Sequence, residues 1–219
     1  MSPANVRAIT PRFSEALVAA ASLHADQGRK GTDTPYIAHL LGVTSIALEY
    51  GADEDQAIAA LLHDSIEDAP AEFQAEGVRR LIASKFGHKV LEIVEGCTDS
   101  DTVPKPPWRQ RKQDYINRLA HEGIATFLVS AADKLYNVRS ILSDFRTSGD
   151  QVFDRFNRDA GKVGTIGYYR GLVSAFEARL DALPPSDVGR FPALLRELDA
   201  TVTMLEIEAG LTGVWPPER

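Results

Sequence analysis

The chain has 219 residues, 44% hydrophobic and 25% charged, which supplies a sizeable core, excludes a disordered chain and favours one domain over residues 1–219. Lys and Arg number 24 against 31 Asp and Glu, and the formal net charge of −7 opposes nucleic-acid backbones as partners. The one cysteine, Cys97, excludes an internal disulfide and a Cys-rich zinc site, and reads as a small buried side chain.

Helical punctuation dominates from the N-terminus onward. Thr10-Pro11 is a cap followed by proline at the first helical position, and Phe13, Ala16, Leu17, Ala20 and Leu23 trace one face of a helix expected to stop near Gly28. Thr34-Pro35 repeats the start signal, Ile37, Leu40, Leu41 and Ile46 follow, and Gly51 is the stop. Asp53 caps the next segment, AIAALLHDSIEDA, which is apolar nearly all round and therefore central. Two short helices are expected at 77–86 and 88–95, flanking Gly87. The run DSDTVPKPP from Asp99 is a loop, and a charged amphipathic helix covers 108–121. Residues 124–145 form a long central helix, 149–164 a looser stretch, 165–183 another helix, and 186–210 the last. No sustained alternation of period two and no Asn-Gly or Asp-Gly hairpin occurs. The expected fold class is all-α, a single-domain helical bundle. No apolar run reaches the ~18–20 residues of a membrane span, and no small-residue cleavage site follows the N-terminal Ala-rich stretch. A soluble, cytoplasmic protein without a membrane partner is expected.

Among five histidines, His63 departs from the background. His63-Asp64 lies on an apolar segment, where an ionisable pair is costly to bury without a metal or a partner. Glu67 and Asp68 follow at helical spacing, so four ionisable groups share one side of a helix end. His39, in PYIAHLL, and Asp133, in FLVSAADKLYNVRSIL, are further polar groups in buried-type helices. A salt bridge to Lys134 is a poor account of Asp133, since neighbours in sequence point to different faces, whereas Asn137 shares its face. His39, His63, Asp64 and Asp133 together make a mixed imidazole and carboxylate set that suits a divalent transition metal better than Mg or Ca. Such a set leaves part of the metal's shell to water. His88 and His121 read as surface positions, so one metal rather than two is expected.

The spacing H…HD…D in an all-α chain resembles the HD-domain metal phosphohydrolases. GRKGTDTPYIAHLLGV, AALLHDSIEDAP and VSAADKLYNVRSI are similar to the three signature blocks of the RelA/SpoT-type hydrolase domain, above all to its free-standing small alarmone hydrolases. The likeness runs from about His24 to Ile141, within a family-like core of about 10–145, with helices of about 150–212 after it. The resemblance implies that His39, His63, Asp64 and Asp133 hold a metal, usually Mn²⁺. Glu67 and Asp68 match its catalytic acidic pair. Arg29 and Lys30 match its basic pair, the arginine lying against the guanine base, and Asn137 matches a substrate-contacting residue. The implied reaction removes the 3′-pyrophosphate of (p)ppGpp, giving GDP or GTP and pyrophosphate, so the partner is a small-molecule nucleotide. Three positions depart from the family pattern: Ser130 stands where Lys is frequent, Tyr136 where His is frequent, and Leu40 where Pro is frequent. These leave guanine and adenine alarmones both open.

The residues agree with that chemistry. Arg29-Lys30 and a second cluster, Lys105, Arg109, Arg111 and Lys112, offer cations to a polyphosphate on an otherwise acidic chain. Tyr168 and Tyr169 offer a stacking wall or, more in keeping with their setting, core packing. The C-terminal helices complete the bundle or form a homo-oligomer contact. Two other functions remain open from sequence: a broader HD phosphohydrolase or phosphodiesterase, and a non-catalytic alarmone-binding regulator. Retention of Glu67 and Asp68 weighs against the last.

Overall fold

The computed structural model describes residues 8–102, 104–156, 160–184, 186 and 188–211. Among these, the elements in order are α1 (Pro11–Leu23), α2 (Ile37–Glu49), α3 (Glu54–Leu62), α4 (Gln74–Phe86), α5 (His88–Cys97), α6 (Trp108–Leu119), α7 (Ile124–Ser148), a 3-10 helix (Gly149–Arg155), α8 (Gly161–Leu180) and α9 (Phe191–Ala209). No strand occurs among the described residues beyond an isolated antiparallel bridge between Gly28 and Pro35. The all-α expectation holds.

Two helices make the centre. In α3, every residue from Ala57 to Leu62 is buried, as its all-round apolar sequence requires, and Asp53 and Gln56 close a reciprocal capping box at its start. In α7, the run from Thr126 to Asp133 is buried without a break. The helix α2 bridges the two, α1 and α5 flank α3, and α4 covers α5. On the other side of α7 lie α9 and then α8, with α6 against α8. Phe127, Phe176 and Phe191 tie α7, α8 and α9 together with ring centroids 5.3–5.8 Å apart, two of the three pairs edge to face. Each such fully buried ring contributes about 1.5–3 kcal/mol by leaving water. One hydrophobic cluster thus runs from Ala16 to Ala209, and the C-terminal helices are part of it.

Several boundaries differ from the expected ones, each for a local reason. The first helix ends at Leu23, not near Gly28, because His24 turns inward, its backbone N–H donating to the Ala20 carbonyl and that of Ala25 to the Ser22 carbonyl. Thr34-Pro35 does not start α2. Pro35 pairs in the bridge, Tyr36 N–H donates to Gln27 at 2.9 Å, and the helix begins at Ile37. Residues 28–35 are therefore a closed loop, turned at Gly31 with φ +78°, a conformation that favours glycine. The third helix ends at Leu62, so His63 to Asp68 form a tight turn rather than a helix end. The fourth helix begins at Gln74 rather than 77, α7 runs on to Ser148, and α8 starts at Gly161 within the stretch read as loose. The last helix begins at Phe191 instead of 186, with Pro192 in its first turn. Part of the expected start, Pro185 and Asp187, lies outside the described residues.

Candidate active site

Four side chains from three segments converge. His39 comes from the first turn of α2, His63 and Asp64 from the turn after α3, and Asp133 from the middle of α7. His39 Nε2 lies 3.3 Å from Asp64 Oδ2, 3.3 Å from Asp133 Oδ1 and 3.3 Å from His63 Nε2. His63 Nε2 lies 3.0 Å from Asp64 Oδ2 and 3.6 Å from Asp133 Oδ1. His39, His63 and Asp64 are the compact three-donor group, and Asp133 closes on both imidazoles.

The tautomers show what this cluster requires. His63 Nδ1 donates to the Ala60 carbonyl at 2.9 Å, which fixes its proton there and leaves the Nε2 lone pair facing two carboxylates. Electron-rich atoms pressed together at this distance need a cation between them. Without a metal the answer is a proton: burial disfavours a charged His63, but Asp64 and Asp133 outweigh it and push its pKa well above the ordinary imidazole value. Burial likewise opposes ionisation of Asp64 and Asp133, and the imidazoles, with Lys134 beside Asp133, hold both carboxyls well below the usual range. A divalent ion meets the same demand. Ligands at about 2.0–2.2 Å from such an ion stand about 3.0–3.5 Å from one another, the separations seen here. The donor set fits a transition metal.

Outer contacts hold these donors in place. Tyr36 O–H donates to Asp64 Oδ2 at 2.6 Å, and Asn137 Nδ2 donates to Asp133 Oδ1 at 2.5 Å. Lys134 does pair with Asp133, Nζ to Oδ2 at 2.6 Å, contrary to the argument from helix faces. Its long stem lets the ammonium reach back over one carboxylate oxygen while the other turns to the imidazoles. Ser130 is buried and shares a 2.7 Å hydrogen bond with Tyr115.

The cluster opens into a cavity of about 590 Å³. Glu67 is on its wall, paired with Lys105 Nζ at 2.8 Å. Burial raises its carboxyl above the ordinary value, against the pull of Lys105. Asp68 stands behind the wall, where Gln27 Nε2 donates to it at 2.8 Å; burial and then Asp64 raise its pKa. On one flank, Arg29 donates to Asn137 Oδ1 at 3.1 Å and lies 5.5 Å from the Tyr136 ring centroid, with Lys30 exposed beside it. On the opposite flank, Asp99 pairs with Arg111 and, at 2.9 Å, with Lys112, whose ammonium lies over the Tyr168 ring. Arg109 is exposed on α6 and is not part of this wall; Arg111 and Lys112 are. Tyr168 and Tyr169 are both buried and both line the cavity, so core and wall are one surface there. His88 and His121 are exposed, as expected.

Other wall residues had no sequence signal that marked them. Arg155 and Phe156 reach the cavity wall from a segment without helical periodicity, and Arg155 pairs there at 2.6 Å with Asp144 of α7. Tyr36, beside a helix start, and Asp99, at the head of a loop, carry no role in the sequence reading. Only the burial of a carboxylate next to the basic cluster distinguishes Asp99, and burial is not visible in sequence.

Comparison with known proteins bears on this geometry. Residues 16–165 match the HD domain family. The guanosine-3′,5′-bis(diphosphate) 3′-pyrophosphohydrolase MESH1 of Xenopus tropicalis is 41% identical over 172 residues, 76% of this chain and 89% of that protein. MESH1 of Drosophila melanogaster is 34% identical over 176 residues, 78% of this chain and 92% of that protein. The solved structure of a metazoan ortholog of SpoT superposes with a TM-score of 0.67 at 24% identity, covering 93% of this chain and 98% of the other, a likeness of fold. The helical arrangement, the converging His and Asp donors and these matches agree: the chain belongs to the HD-domain family.

Proposed function

We propose that the chain is a metal-dependent hydrolase that removes the 3′-pyrophosphate of guanosine tetra- and pentaphosphate alarmones. The observation that carries this reading is the placement of four metal-type donors, Glu67 and two cationic flanks at one cavity, with Asp68 behind its wall. MESH1 relatives with that named activity span most of this chain. His39, His63, Asp64 and Asp133 would hold the ion, Mn²⁺ being the expected one. When bound, a divalent ion supplies Lewis acidity towards the phosphoryl group and makes water easier to deprotonate.

The protein's own groups do the rest. Glu67, on the wall, exchanges protons with the attacking water and the departing ribose 3′-oxygen, with Asp68 behind it as the second carboxyl of the pair. Water adds to the phosphorus attached to the ribose, the bond from that phosphorus to the 3′-oxygen breaks, and the products are GDP or GTP and pyrophosphate. Arg29, set by Tyr136 and Asn137, offers a flat guanidinium to the purine, Lys30 adds charge, and Asn137 adds a directional hydrogen bond. Arg111, Lys112 and Lys134 meet the 5′-phosphates, and Arg109 extends this field outside the cavity. The catalytic unit comprises the core at about 10–145 and the helices at about 150–212 that close the cavity. No helix among the described residues is long and apolar enough to cross a membrane, in keeping with a cytoplasmic enzyme.

A product assay on ppGpp, its adenine counterpart and a 2′,3′-cyclic nucleotide, each with Mn²⁺ and with chelator, tests the reading. Release of pyrophosphate from ppGpp that stops with chelator is expected. Turnover of the cyclic compound alone would assign a phosphodiesterase, and tight binding of ppGpp without turnover a regulator.

A further inference from the structure

His24 is buried at the end of α1, away from the cavity, yet both hydrogen bonds of its side chain lead back to the turn that carries Asp64, Glu67 and Asp68. Its Nδ1 lies 2.5 Å from Gln27 Oε1, its Nε2 lies 3.3 Å from Ser65 Oγ, and its ring stacks on Tyr36 at 5.1 Å and 20°. Tyr36 in turn donates to Asp64, and Gln27 donates to Asp68.

With Asp68 as a carboxylate and the His24 ring carrying one proton, the partners leave one consistent assignment. Asp68 accepts, so the Gln27 atom facing it is the amide nitrogen, and Gln27 Oε1 must face a donor. That donor is His24 Nδ1–H. His24 Nε2 then carries a lone pair, which takes the Ser65 hydroxyl proton. The chain Ser65 O–H to His24, His24 N–H to Gln27 and Gln27 N–H to Asp68 therefore runs in one direction and ends on a carboxylate, where successive dipoles reinforce one another. Ser65 belongs to the same turn as Asp68, so the chain closes a ring across its base.

We infer that His24 is a positioning residue for the reaction, fixing the Asp68 carboxylate through Gln27 and bracing the 63–68 turn through Ser65 and Tyr36. It touches neither substrate nor metal donors. The inference rests on the reading of Asp68 as one of the catalytic pair.

The test is a double-mutant cycle on the metal-loaded, full-length protein, with kcat, KM and metal content measured for each variant. His24→Leu is expected to lower kcat about 10–100-fold, the usual effect of removing an outer partner of a site, with KM and metal content retained. Gln27→Leu, which leaves the buried ring in place, should do the same and covers the case in which His24→Leu does not fold. In the Asp68→Asn background neither change should slow the enzyme further. His24→Asn, whose amide can still donate to Gln27, should recover most of the rate. If Asp68→Asn is slow but the His24 and Gln27 effects add to it in full, or are absent, the inference fails and the role of Asp68 stands. If Asp68→Asn turns over at the full rate, the role of Asp68 fails and the inference with it.

Discussion

At the scale of single residues, the proposed function separates holding a metal from moving a proton. Asp64 is within 3.0–3.3 Å of both imidazoles and is steadied by Tyr36, so Asp64→Ala removes a donor from a set of four. Metal analysis of that variant should show little or no bound ion; full occupancy would overturn the assignment. Glu67 is held by Lys105 instead. Glu67→Gln should keep its metal and lose roughly 10²–10⁴ in kcat, the range of a lost general acid or base. Lys105 pulls down a Glu67 pKa that burial raises. Lys105→Met removes the main opposition to burial, leaving only the weaker pull of Lys112, so the pKa rises further and the limb of the kcat–pH profile governed by Glu67 moves to higher pH. An unmoved limb would show that Glu67 does not govern it.

At the scale of elements, α2 and α7 meet at a glycine. A Cβ on Gly42 would lie 2.1 Å from the Tyr136 ring, which is itself 5.0 Å from His39 and 5.5 Å from the Arg29 guanidinium. The bare backbone of α2 is what lets this ring stand between a metal donor and the nucleoside flank. Gly42→Ala should cost about 1–3 kcal/mol of stability through overpacking, and should weaken metal binding as the displaced ring presses on His39. Chemical denaturation and a metal titration measure the two effects, and Tyr136→Ala in the same chain should relieve both. This contact also shows what was legible in the sequence. Helices were readable from caps and periodicity, as Asp53 and Gln56 show in their capping box, and the donors from polar groups in apolar runs. The ends of α1 and α3 were not, because His24 and His63 leave the helix to meet partners in distant segments, Ser65 for the first and His39 and Asp133 for the second. The Lys134 to Asp133 pair was misjudged because helix-face geometry describes Cβ directions, not the reach of four methylenes. Arg155 and Phe156 lay in a stretch without periodicity, where nothing local announces a cavity wall.

At the scale of the whole molecule, the acidic chain and the cationic cavity work against each other. A net charge of −7 repels a highly charged anion at long range, whereas Arg29, Lys30, Arg111 and Lys112 on the cavity flanks attract it on close approach. Salt weakens both, but not equally. The repulsion comes from charges spread over the surface, most of them further from the cavity than the screening length of about 10 Å at 0.1 M, so it is already weak and added salt relieves little more of it. The attraction comes from short contacts on partly buried groups such as Lys112 and Arg111, where salt acts mainly by competing for the free anion. Ground-state capture should therefore lose more than the chemical step, because Glu67 and the metal donors lie behind the cationic rim. Raising ionic strength from about 0.05 to about 0.5 M should increase KM for ppGpp several-fold and leave kcat nearly constant. Arg111→Gln should raise KM at low salt and flatten its salt dependence, since one of the contacts being screened is already gone. Steady-state kinetics across a salt series decides this. A kcat that falls in parallel with kcat/KM while KM stays fixed would place the screened charges at the reacting phosphoryl group, not at the anion-binding flank.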